Sequence, residues 1–257
     1  MLVFKGDNLL VGDEGPDGAL RKGLSRVTRD SRNLPEVWQE APAWCEVEDA
    51  PDDLEWADLR AVWARWGDEV FARAGTAYQY MNWLRSSRFC SACGAPLSPK
   101  RDERGLVCAS CGRVTYAPLH PAIIVAVERD GKLLLARNTR MPQKRYSVLA
   151  GFVEPGESLE QAIAREVMEE VKIEIGEIRY FGSQPWPFPC SLMLGFTARW
   201  KGGELCPDGV ELDDAGWFSP NEFPDIPPAL SIARKLIDNF TRARRGQRFE
   251  RKQEAVT

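Results

Sequence analysis

Residues 151–171, GFVEPGESLEQAIAREVMEEV, place a glycine-bearing loop directly before a helical pattern and load one side of that helix with acids. Ser158, followed three residues later by Gln161, has the pattern of a capping box, which predicts that the helix begins at this serine. Apolar residues recur at every fourth position and predict the face that packs on a core, namely Leu159, Ile163, Val167 and Val171. This stretch therefore predicts an amphipathic helix whose acidic side borders a loop.

The acids of this helix are closely spaced. Glu166, Glu169 and Glu170 share an arc of roughly 100° beside the apolar row. Glu157 lies just before the helix and can fold back toward them, while Arg165 can pair with a loop carboxylate and hold the loop against the helix. Like charges at this spacing repel each other, which predicts a divalent cation among the oxygens. The alternative is a solvated acidic helix face. A cation bound among these acids would indicate metal-assisted chemistry on a phosphate.

With these residues the stretch resembles the Nudix box, which is a glycine, five residues, Glu, seven residues, and then Arg-Glu-apolar-x-Glu-Glu-x-Gly-apolar. The matching positions are Gly151, Glu157, Arg165, Glu166, Val167, Glu169, Glu170 and Ile173. Lys172 stands where the family has a glycine that ends the helix in a left-handed turn. A lysine adopts that conformation at a cost of about 1 kcal/mol or more, so the end of the helix is left open.

Paired cysteines mark a second site. Cys90-x-x-Cys93 and Cys108-x-x-Cys111 are separated by 14 residues, and four thiolates complete a tetrahedral shell around Zn²⁺. With no open position, a single zinc ion in each chain is expected to be structural. A lost metal or an iron site is the alternative, and the ribbon could bind nucleic acid or brace a domain junction.

Composition agrees with a soluble intracellular enzyme, and we expect a cytoplasmic location. The 257 residues suggest more than one folding unit, and no apolar run is long enough to cross a membrane. The N-terminus lacks a secretory pattern. A net charge of −4 provides no general attraction to nucleic acid. The 7 cysteines are odd in number, and their spacing favours metal binding over a disulfide framework.

We expect four segments: an α+β N-terminal domain over 1–86, a zinc ribbon over 87–116, a catalytic domain over 117–241 and a basic tail over 242–257. In the first segment, short strands are expected around turn residues at Gly12, Gly15, Pro16 and Gly18. A helix with an apolar, tryptophan-rich face is expected from Asp53, with interruptions at Gly67 and Gly75, followed by a second helix near 76–85.

The catalytic segment alternates strand and helix patterns. Expected strands cover 122–127, 131–136, 147–150, 178–181, 192–200 and 216–218, with a closing helix over 232–241. This order predicts an α/β/α sandwich, with a mixed sheet between helices.

The segment SQPWPFPCS, residues 183–191, contains three prolines that stiffen it and remove backbone donors, so it is not an ordinary central strand. From the residues alone it is either a rigid connector with core aromatics or a preformed pocket wall for a ring. It resembles the SQPWPFPxS motif of the NADH pyrophosphatase subgroup of the Nudix family, in which a four-cysteine zinc ribbon precedes the Nudix domain.

The resemblance implies the following site. Mg²⁺ or Mn²⁺ would be held by Glu166, Glu170, Glu211 and the carbonyl of Ala150, with Glu169 as a further ligand or proton-handling group and Glu157 and Arg165 completing the catalytic set. Phe152 and Tyr116 would enclose the nicotinamide ring, with Tyr116 supplied by the partner subunit of a homodimer. Further substrate contacts would be Arg60, Glu103, Gln184, Pro185, Trp186, Pro187, Phe188, Pro189, Cys190, Ser191 and Ala233.

The expected reaction is hydrolysis of the pyrophosphate bond of NAD(H), giving nicotinamide mononucleotide and AMP. On RNA carrying a 5′ NAD cap, the same cleavage leaves 5′-monophosphate RNA. Another nucleoside diphosphate, such as ADP-ribose, is the second hypothesis, and a non-catalytic nucleic-acid or ligand-binding protein is the third. The single histidine, His120, is interpreted as structural.

Overall fold

The structure, a computed structural model, describes residues 2–11, 27–38, 41–47, 55–140 and 145–244. The chain divides into two compact units. The first contains residues 1–119 and 186–190, and the second contains residues 120–185 and 191–257. The turn residues expected between Gly12 and Gly18, the predicted helix start at Asp53 and the tail beyond residue 244 lie outside the described residues.

The N-terminal part of the first unit contains a sheet of five short strands: β1 (Leu2–Lys5), β2 (Asn8–Val11), β3 (Val27–Asp30), β4 (Trp44–Val47) and β5 (Glu55–Ala57). Their order in the sheet is β3-β4-β1-β2-β5, with β1 and β4 parallel. Val3, Leu10, Cys45 and Val47 form its buried cluster. The sheet and the helix that follows confirm the expected α+β class.

Helix α1 covers Leu59–Ser86, and its N-cap is Asp58, whose carboxylate accepts a hydrogen bond from the Ala61 N–H at 2.8 Å. The prediction of helix already at residue 55 is wrong because 55–57 pairs with β2, so strand pairing overrides the helical pattern. The kink expected at Gly67 is confirmed by its φ of 78°. Gly75 does not interrupt the helix, and the predicted second helix is the continuation of α1.

The ribbon is a small antiparallel sheet of β6 (Leu97–Pro99), β7 (Gly105–Cys108) and β8 (Val114–Tyr116). Within the first unit, Leu106 of β7 shares a buried cluster with Trp38 and Trp83. The two indole rings stack with centroids 5.7 Å apart. The ribbon therefore shares a core with α1 and with the segment around Trp38.

The second unit contains a mixed sheet between two helices. Its strands are β9 (His120–Arg129), β10 (Lys132–Asn138), β11 (Tyr146–Ser147), β12 (Leu149–Phe152), β13 (Glu174–Trp186), β14 (Ser191–Gly202) and β15 (Leu212–Phe218). The helices are α2 (Leu159–Val171) and α3 (Ile232–Arg244). Strand β14 runs parallel to β9, whereas β10 and β12 are antiparallel to it. A strand is present in each predicted range, but the predicted 147–150 is divided between β11 and β12, and the predicted 178–181 is the middle of the much longer β13.

Side chains of β9 alternate between the two faces of this sheet. Ile123 and Val125 pack in the cluster that contains Ile163 and Val167 of α2. On the opposite face, Ile124 and Ala126 pack in the cluster that contains Ile232, Leu236 and Ile237 of α3. Since residues i and i+2 of a strand share one face, a continuously apolar strand is what a sheet covered on both sides requires. The predicted α/β/α sandwich is therefore confirmed.

Helix α2 ends at Lys172, which adopts the left-handed conformation at φ 60° and ψ 27°. Its N–H donates to the Met168 carbonyl at 3.2 Å, and its ammonium donates to the Glu169 carbonyl at 2.9 Å. The lysine thus makes the turn that the family assigns to glycine, and its side chain satisfies one of the last helical carbonyls. No helix among the described residues is both long and apolar enough to span a membrane.

Replacing Lys172 by glycine is expected to raise the free energy of unfolding by about 0.5–1 kcal/mol, because relief of the left-handed strain outweighs the added freedom of the unfolded chain. Urea denaturation would measure the change. Lys172→Ala is the matched control, since it keeps the Cβ and loses the ammonium contact, and it should be less stable than the wild type. Equal stability of the glycine and alanine variants would contradict this account of the turn.

Candidate active site and zinc centre

The start of α2 is held by the predicted capping box. Ser158 Oγ accepts from the Gln161 N–H at 3.3 Å, and Gln161 Oε1 accepts from the Ser158 N–H at 2.8 Å. In the preceding loop, the Glu154 N–H donates to Glu157 Oε2 at 3.0 Å. These contacts give the loop and the first helical turn a single geometry, so the acids beyond them project from a defined frame.

Arg165 ties this loop to the helix, as the sequence predicted. Its Nε donates to Glu157 Oε1 at 2.5 Å, and its Nη2 donates to Glu157 Oε2 at 2.9 Å and to the Phe152 carbonyl at 3.0 Å. The guanidinium and the Glu154 N–H together lower the pKa of Glu157 to about 2. The pKa of Arg165 is raised above its ordinary value, mainly by Glu157. The pair is thus a charge-assisted clamp that stays ionised at neutral pH.

The other terminal nitrogen of Arg165 faces the helix. Nη1 donates to Glu166 Oε1 at 3.0 Å and to Glu169 Oε2 at 3.1 Å. One guanidinium therefore touches three of the acids on which the sequence prediction depends. Because its donors are committed to these protein oxygens, Arg165 acts on the site by holding Glu157 and Glu166 in place.

Gly151 is required by the position of Glu166. A Cβ at Gly151 would lie 1.9 Å from the carboxyl carbon of Glu166, well inside any allowed contact. Gly151 pairs with Ile123 in the β12–β9 ladder, so its backbone has little freedom to retreat. Gly151, at the head of the box, therefore allows the Glu166 carboxylate to lie close against the sheet. A residue with a Cβ would occupy that space.

Glu170 is the buried acid of the cluster. Only 7% of its surface is exposed, and its Oε2 atom lacks a hydrogen-bond partner among the described residues. Burial raises its pKa to about 8, and the charges of Glu166, Glu211, Asp208 and Glu169 add to that rise. Burial is also the first cause of the raised pKa of Glu166.

A buried carboxylate without a donor needs either a proton or a cation. The surrounding oxygens are mainly carboxylates, the ligands that hard divalent ions prefer. The residues present therefore fit a divalent cation. Ala150, whose carbonyl the resemblance assigns to the metal, lines a cavity of about 340 Å³ together with Glu170 and Leu212.

Glu211 belongs to the same charged neighbourhood, since it acts on both Glu166 and Glu170. Its segment is held by Asp208, whose Oδ1 accepts from the N–H groups of Val210, Glu211 and Leu212 at 3.1, 3.1 and 2.9 Å. These donors, led by Leu212, lower the pKa of Asp208. Asp208 was not predicted from the sequence, although an aspartate followed by a glycine is a recognisable turn signal.

The four predicted cysteines converge within the ribbon. Sγ atoms of Cys90, Cys93, Cys108 and Cys111 all lie within 4.8 Å of one another, and in the part of the chain that the structure describes no other group of His, Cys, Asp or Glu side chains is so closely gathered. The knuckles close through the Gly94 and Gly112 N–H groups, which donate to the Cys90 and Cys108 carbonyls at 2.9 Å. This geometry fits a closed tetrahedral zinc site.

Backbone donors in the first knuckle stabilise a thiolate. The Ala92 N–H donates to the Cys90 sulfur at 3.4 Å. The Ala92 and Cys93 N–H groups are the leading causes that lower the pKa of Cys90 to about 7. The acids around Glu170 form a looser group than these four sulfurs.

The predicted substrate residues are divided between the two units. Tyr116 and Glu103 lie in the ribbon, where the Tyr116 hydroxyl donates to both Glu103 oxygens at 3.2 Å. Tyr116 in the first unit and Phe152 in the second each expose 58% of their surface, unusual for aromatic rings. The other predicted contacts of the first unit are Arg60, Trp186, Pro187, Phe188, Pro189 and Cys190, and those of the second are Gln184, Pro185, Ser191 and Ala233.

Gln184 has a role in the second unit that the sequence did not reveal. Its Nε2 donates to the Leu230 carbonyl at 2.8 Å, and its Oε1 accepts from the Ile232 N–H at 2.7 Å. The side chain therefore caps the start of α3 and fixes the adjacent Ala233 relative to β13. The ring of His120, at the start of β9, lies nearly perpendicular to the Phe152 ring, with centroids 6.3 Å apart.

Two family models match the chain, a NUDIX domain over residues 118–240 and an NADH pyrophosphatase zinc ribbon domain over residues 85–116. A protein of Stutzerimonas stutzeri named NAD-capped RNA hydrolase NudC is 44% identical over 202 residues, covering 77% of this chain and 73% of that protein. The chain belongs to the Nudix family. A second Nudix relative with the same name, from Pectobacterium carotovorum, is 42% identical over 79% of this chain and 76% of its own.

Among solved structures, a NUDIX hydrolase from Nitrosomonas europaea matches with a TM-score of 0.54 and 25% identity. The match covers 62% of this chain and 94% of that structure. The Nudix fold predicted from the box is thus confirmed independently by sequence and by structure, and the protein is a hydrolase of this family with a zinc ribbon.

Gly151→Ala is expected to lower turnover by about 100-fold or more while the fold is retained, because the new Cβ displaces the Glu166 carboxylate. Hydrolysis rates and circular dichroism would be measured together. Gly202→Ala is the matched control, since a Cβ there meets only the Glu174 carboxylate at 4.0 Å. A folded Gly151→Ala enzyme with the turnover of the control would contradict the close-approach role of the glycine.

Removal of zinc is expected to lower the melting temperature of the first unit, because the ribbon shares its core with Trp38 and Trp83. Chelation followed by calorimetry and metal analysis would test this. Cys206→Ser provides a control, since that exposed thiol lies outside the cluster and should leave both zinc content and melting unchanged. Unaltered melting after complete removal of the metal would rule out a structural zinc.

Proposed function

We propose that this Nudix enzyme hydrolyses the pyrophosphate bond of NAD(H) to nicotinamide mononucleotide and AMP, and removes the 5′ NAD cap of RNA to leave 5′-monophosphate RNA. The observation that carries the proposal is the buried Glu170 carboxylate, left without a donor beside Glu166 and Glu211. Support for NAD(H) and NAD-capped RNA as the substrates comes from the relatives named NAD-capped RNA hydrolase NudC and from the matched NADH pyrophosphatase zinc ribbon.

The ligands proposed for Mg²⁺ or Mn²⁺ are the carboxylates of Glu166, Glu170 and Glu211 and the Ala150 carbonyl. Such an ion, when bound, offsets the negative charge of the diphosphate and activates a water molecule for attack on phosphorus. The protein supplies the frame: Arg165 and Glu157 fix the loop, and Gly151 admits Glu166. In this scheme Glu157 and Arg165 are positioning residues.

Proton handling is proposed for Glu169, which lies outside this ligand set and accepts a hydrogen bond from Arg165 Nη1. Attack of water on one phosphorus forms a P–O bond and breaks the bridging P–O bond, so each product carries a monophosphate and the water proton passes to a carboxylate. The neighbouring guanidinium orients that carboxylate through its hydrogen bond before the reaction.

The substrate contacts remain those that the resemblance implies. Phe152 and Tyr116 are proposed to stack on the nicotinamide ring, and their exposure leaves both rings free to do so. Tyr116 would come from the partner subunit of a homodimer. The proline-rich motif, together with Glu103 and Ala233, would contact the rest of the dinucleotide, and Arg60 would act on it through the Phe188 ring.

The boundaries predicted at residues 86, 116 and 241 and a cytoplasmic location complete the proposal. The family models, at 85–116 and 118–240, support the placement of the ribbon and the Nudix domain.

Glu170→Gln is expected to lower turnover of NADH, NAD⁺ and NAD-capped RNA by about 100-fold or more with the fold retained, because it removes the buried charge but keeps the shape. Initial rates with Mg²⁺ and with Mn²⁺, and the identity of the products, would be measured on all three substrates. ADP-ribose would be included for comparison.

Glu160→Gln is the matched control, an exposed acid in the first turn of the same helix. It should retain wild-type rates. Near-normal turnover by folded Glu170→Gln protein would contradict the proposed metal site. Preferential hydrolysis of ADP-ribose by the wild type would show that the substrate is another nucleoside diphosphate and not NAD(H).

A further inference from the structure

The aromatic part of the proline-rich motif, residues 186–190, packs within the first unit on helix α1. The Trp186 and Phe188 rings meet edge to face with centroids 5.0 Å apart. The buried ring of Phe71, on α1, lies 6.5 Å from Trp186 and 6.3 Å from Phe188. Although the two ends of this segment continue into β13 and β14 of the second unit, its aromatic rings are therefore held by a helix of the N-terminal region.

Gly75 of α1 makes room for the centre of the segment. A Cβ at Gly75 would lie 2.9 Å from Cγ of Pro187 and 3.4 Å from its Cβ, and both residues are buried. Glycine in a helix is less stable than alanine, so this position carries a helix-weakening residue where the proline ring lies against the backbone. The prolyl ring is rigid, so it cannot fold away from an added methyl group.

A third residue of α1 contacts the segment from the first turn of the helix. The guanidinium carbon of Arg60 lies 3.8 Å from the centroid of the Phe188 ring. This is the geometry of a cation–π contact, and it fixes the plane of the ring. Arg60, Phe71 and Gly75 thus meet Trp186, Pro187 and Phe188 at three separate points. We name these three residues of α1 the helix clamp.

We propose that the helix clamp determines the affinity of the enzyme for its dinucleotide by holding Trp186 and Phe188 in their binding orientation. The inference rests on the proposed function, which makes the motif a wall of the dinucleotide pocket. Its residues are positioning residues that act through the motif. A pocket wall that is already ordered binds its ligand without the loss of side-chain freedom that a mobile one incurs. The clamp therefore assigns a role in substrate selection to an N-terminal helix that carries no catalytic group.

Gly75→Ala separates this role from a contribution to stability. The substitution favours the helix but forces Pro187 to shift, so we expect a KM for NADH raised by about tenfold, with kcat changed by less than about twofold. A uniform loss of binding affects KM alone, whereas damage to the catalytic acids would lower kcat. Steady-state kinetics and circular dichroism would be measured on the same preparations.

The matched control is Glu69→Ala, an exposed position of the same helix outside the clamp, which should keep wild-type kinetics. Pro187→Ala and the Gly75→Ala/Pro187→Ala double variant complete a cycle. If the added methyl acts through the proline ring, Gly75→Ala should raise KM much less in the Pro187→Ala background. Independent, multiplicative effects would overturn the clamp.

Arg60 provides a second cycle, which holds even if Gly75→Ala fails to fold. Arg60→Ala should raise KM several-fold, and Arg60→Lys should restore part of the loss because a cation remains over the ring. Combined with Phe188→Leu, Arg60→Ala should add little further loss if the arginine acts through that ring. Fully multiplicative effects would instead assign Arg60 a direct substrate contact and overturn its place in the clamp.

The wild type, measured in the same series, separates a failure of the proposed function from a failure of the helix clamp. Absence of NADH, NAD⁺ and capped-RNA hydrolysis by the wild type would overturn the proposed function. Robust hydrolysis by the wild type, with Gly75→Ala and Arg60→Ala retaining the wild-type KM, would overturn the helix clamp alone.

Discussion

The contact between Arg165 and Glu157 is the interaction on which the site depends. It joins the loop after β12 to α2, and the same guanidinium reaches Glu166 and Glu169. A cluster of acids at this density is unfavourable by itself, since each charge raises the pKa of its neighbours. One fixed positive charge at the edge of the cluster offsets part of that repulsion without entering the buried interior, where Glu170 stays unpaired.

The unpaired carboxylate of Glu170 affects both the stability and the activity of the protein. Folding buries a carboxylate without a donor, which is costly unless a proton or a cation compensates it. Gly151 brings a second carboxylate, that of Glu166, close against the sheet, and the turn at Asp208 holds Glu211 beside both. The unfavourable charge density is thus built by two separate backbone features, the glycine at 151 and the turn at Asp208, as expected of a site made to bind a divalent ion.

In the first unit, contacts between distant segments are made by apolar side chains. Its zinc ribbon shares a core with Trp38 and Trp83, and its long helix α1 receives the rings of a segment that the sequence places between two strands of the second unit. Gly67 and Gly75 look alike in the sequence but serve opposite purposes. The first adopts a positive φ and kinks the helix, whereas the second stays helical and admits a proline ring.

The sequence by itself determined the parts of this protein that rest on local spacing. The capping box, the acidic arc of α2, the cysteine knuckles and the Arg165–Glu157 pair could be predicted because each depends on residues a few positions apart in a known geometry. The tertiary structure decided what depends on distant neighbours: strand instead of helix at 55–57, the burial of Glu170, the need for glycine at 151 and the seat of Pro187 on Gly75. Burial, close approach and strand pairing arise only when separate segments meet, so no local pattern contains them.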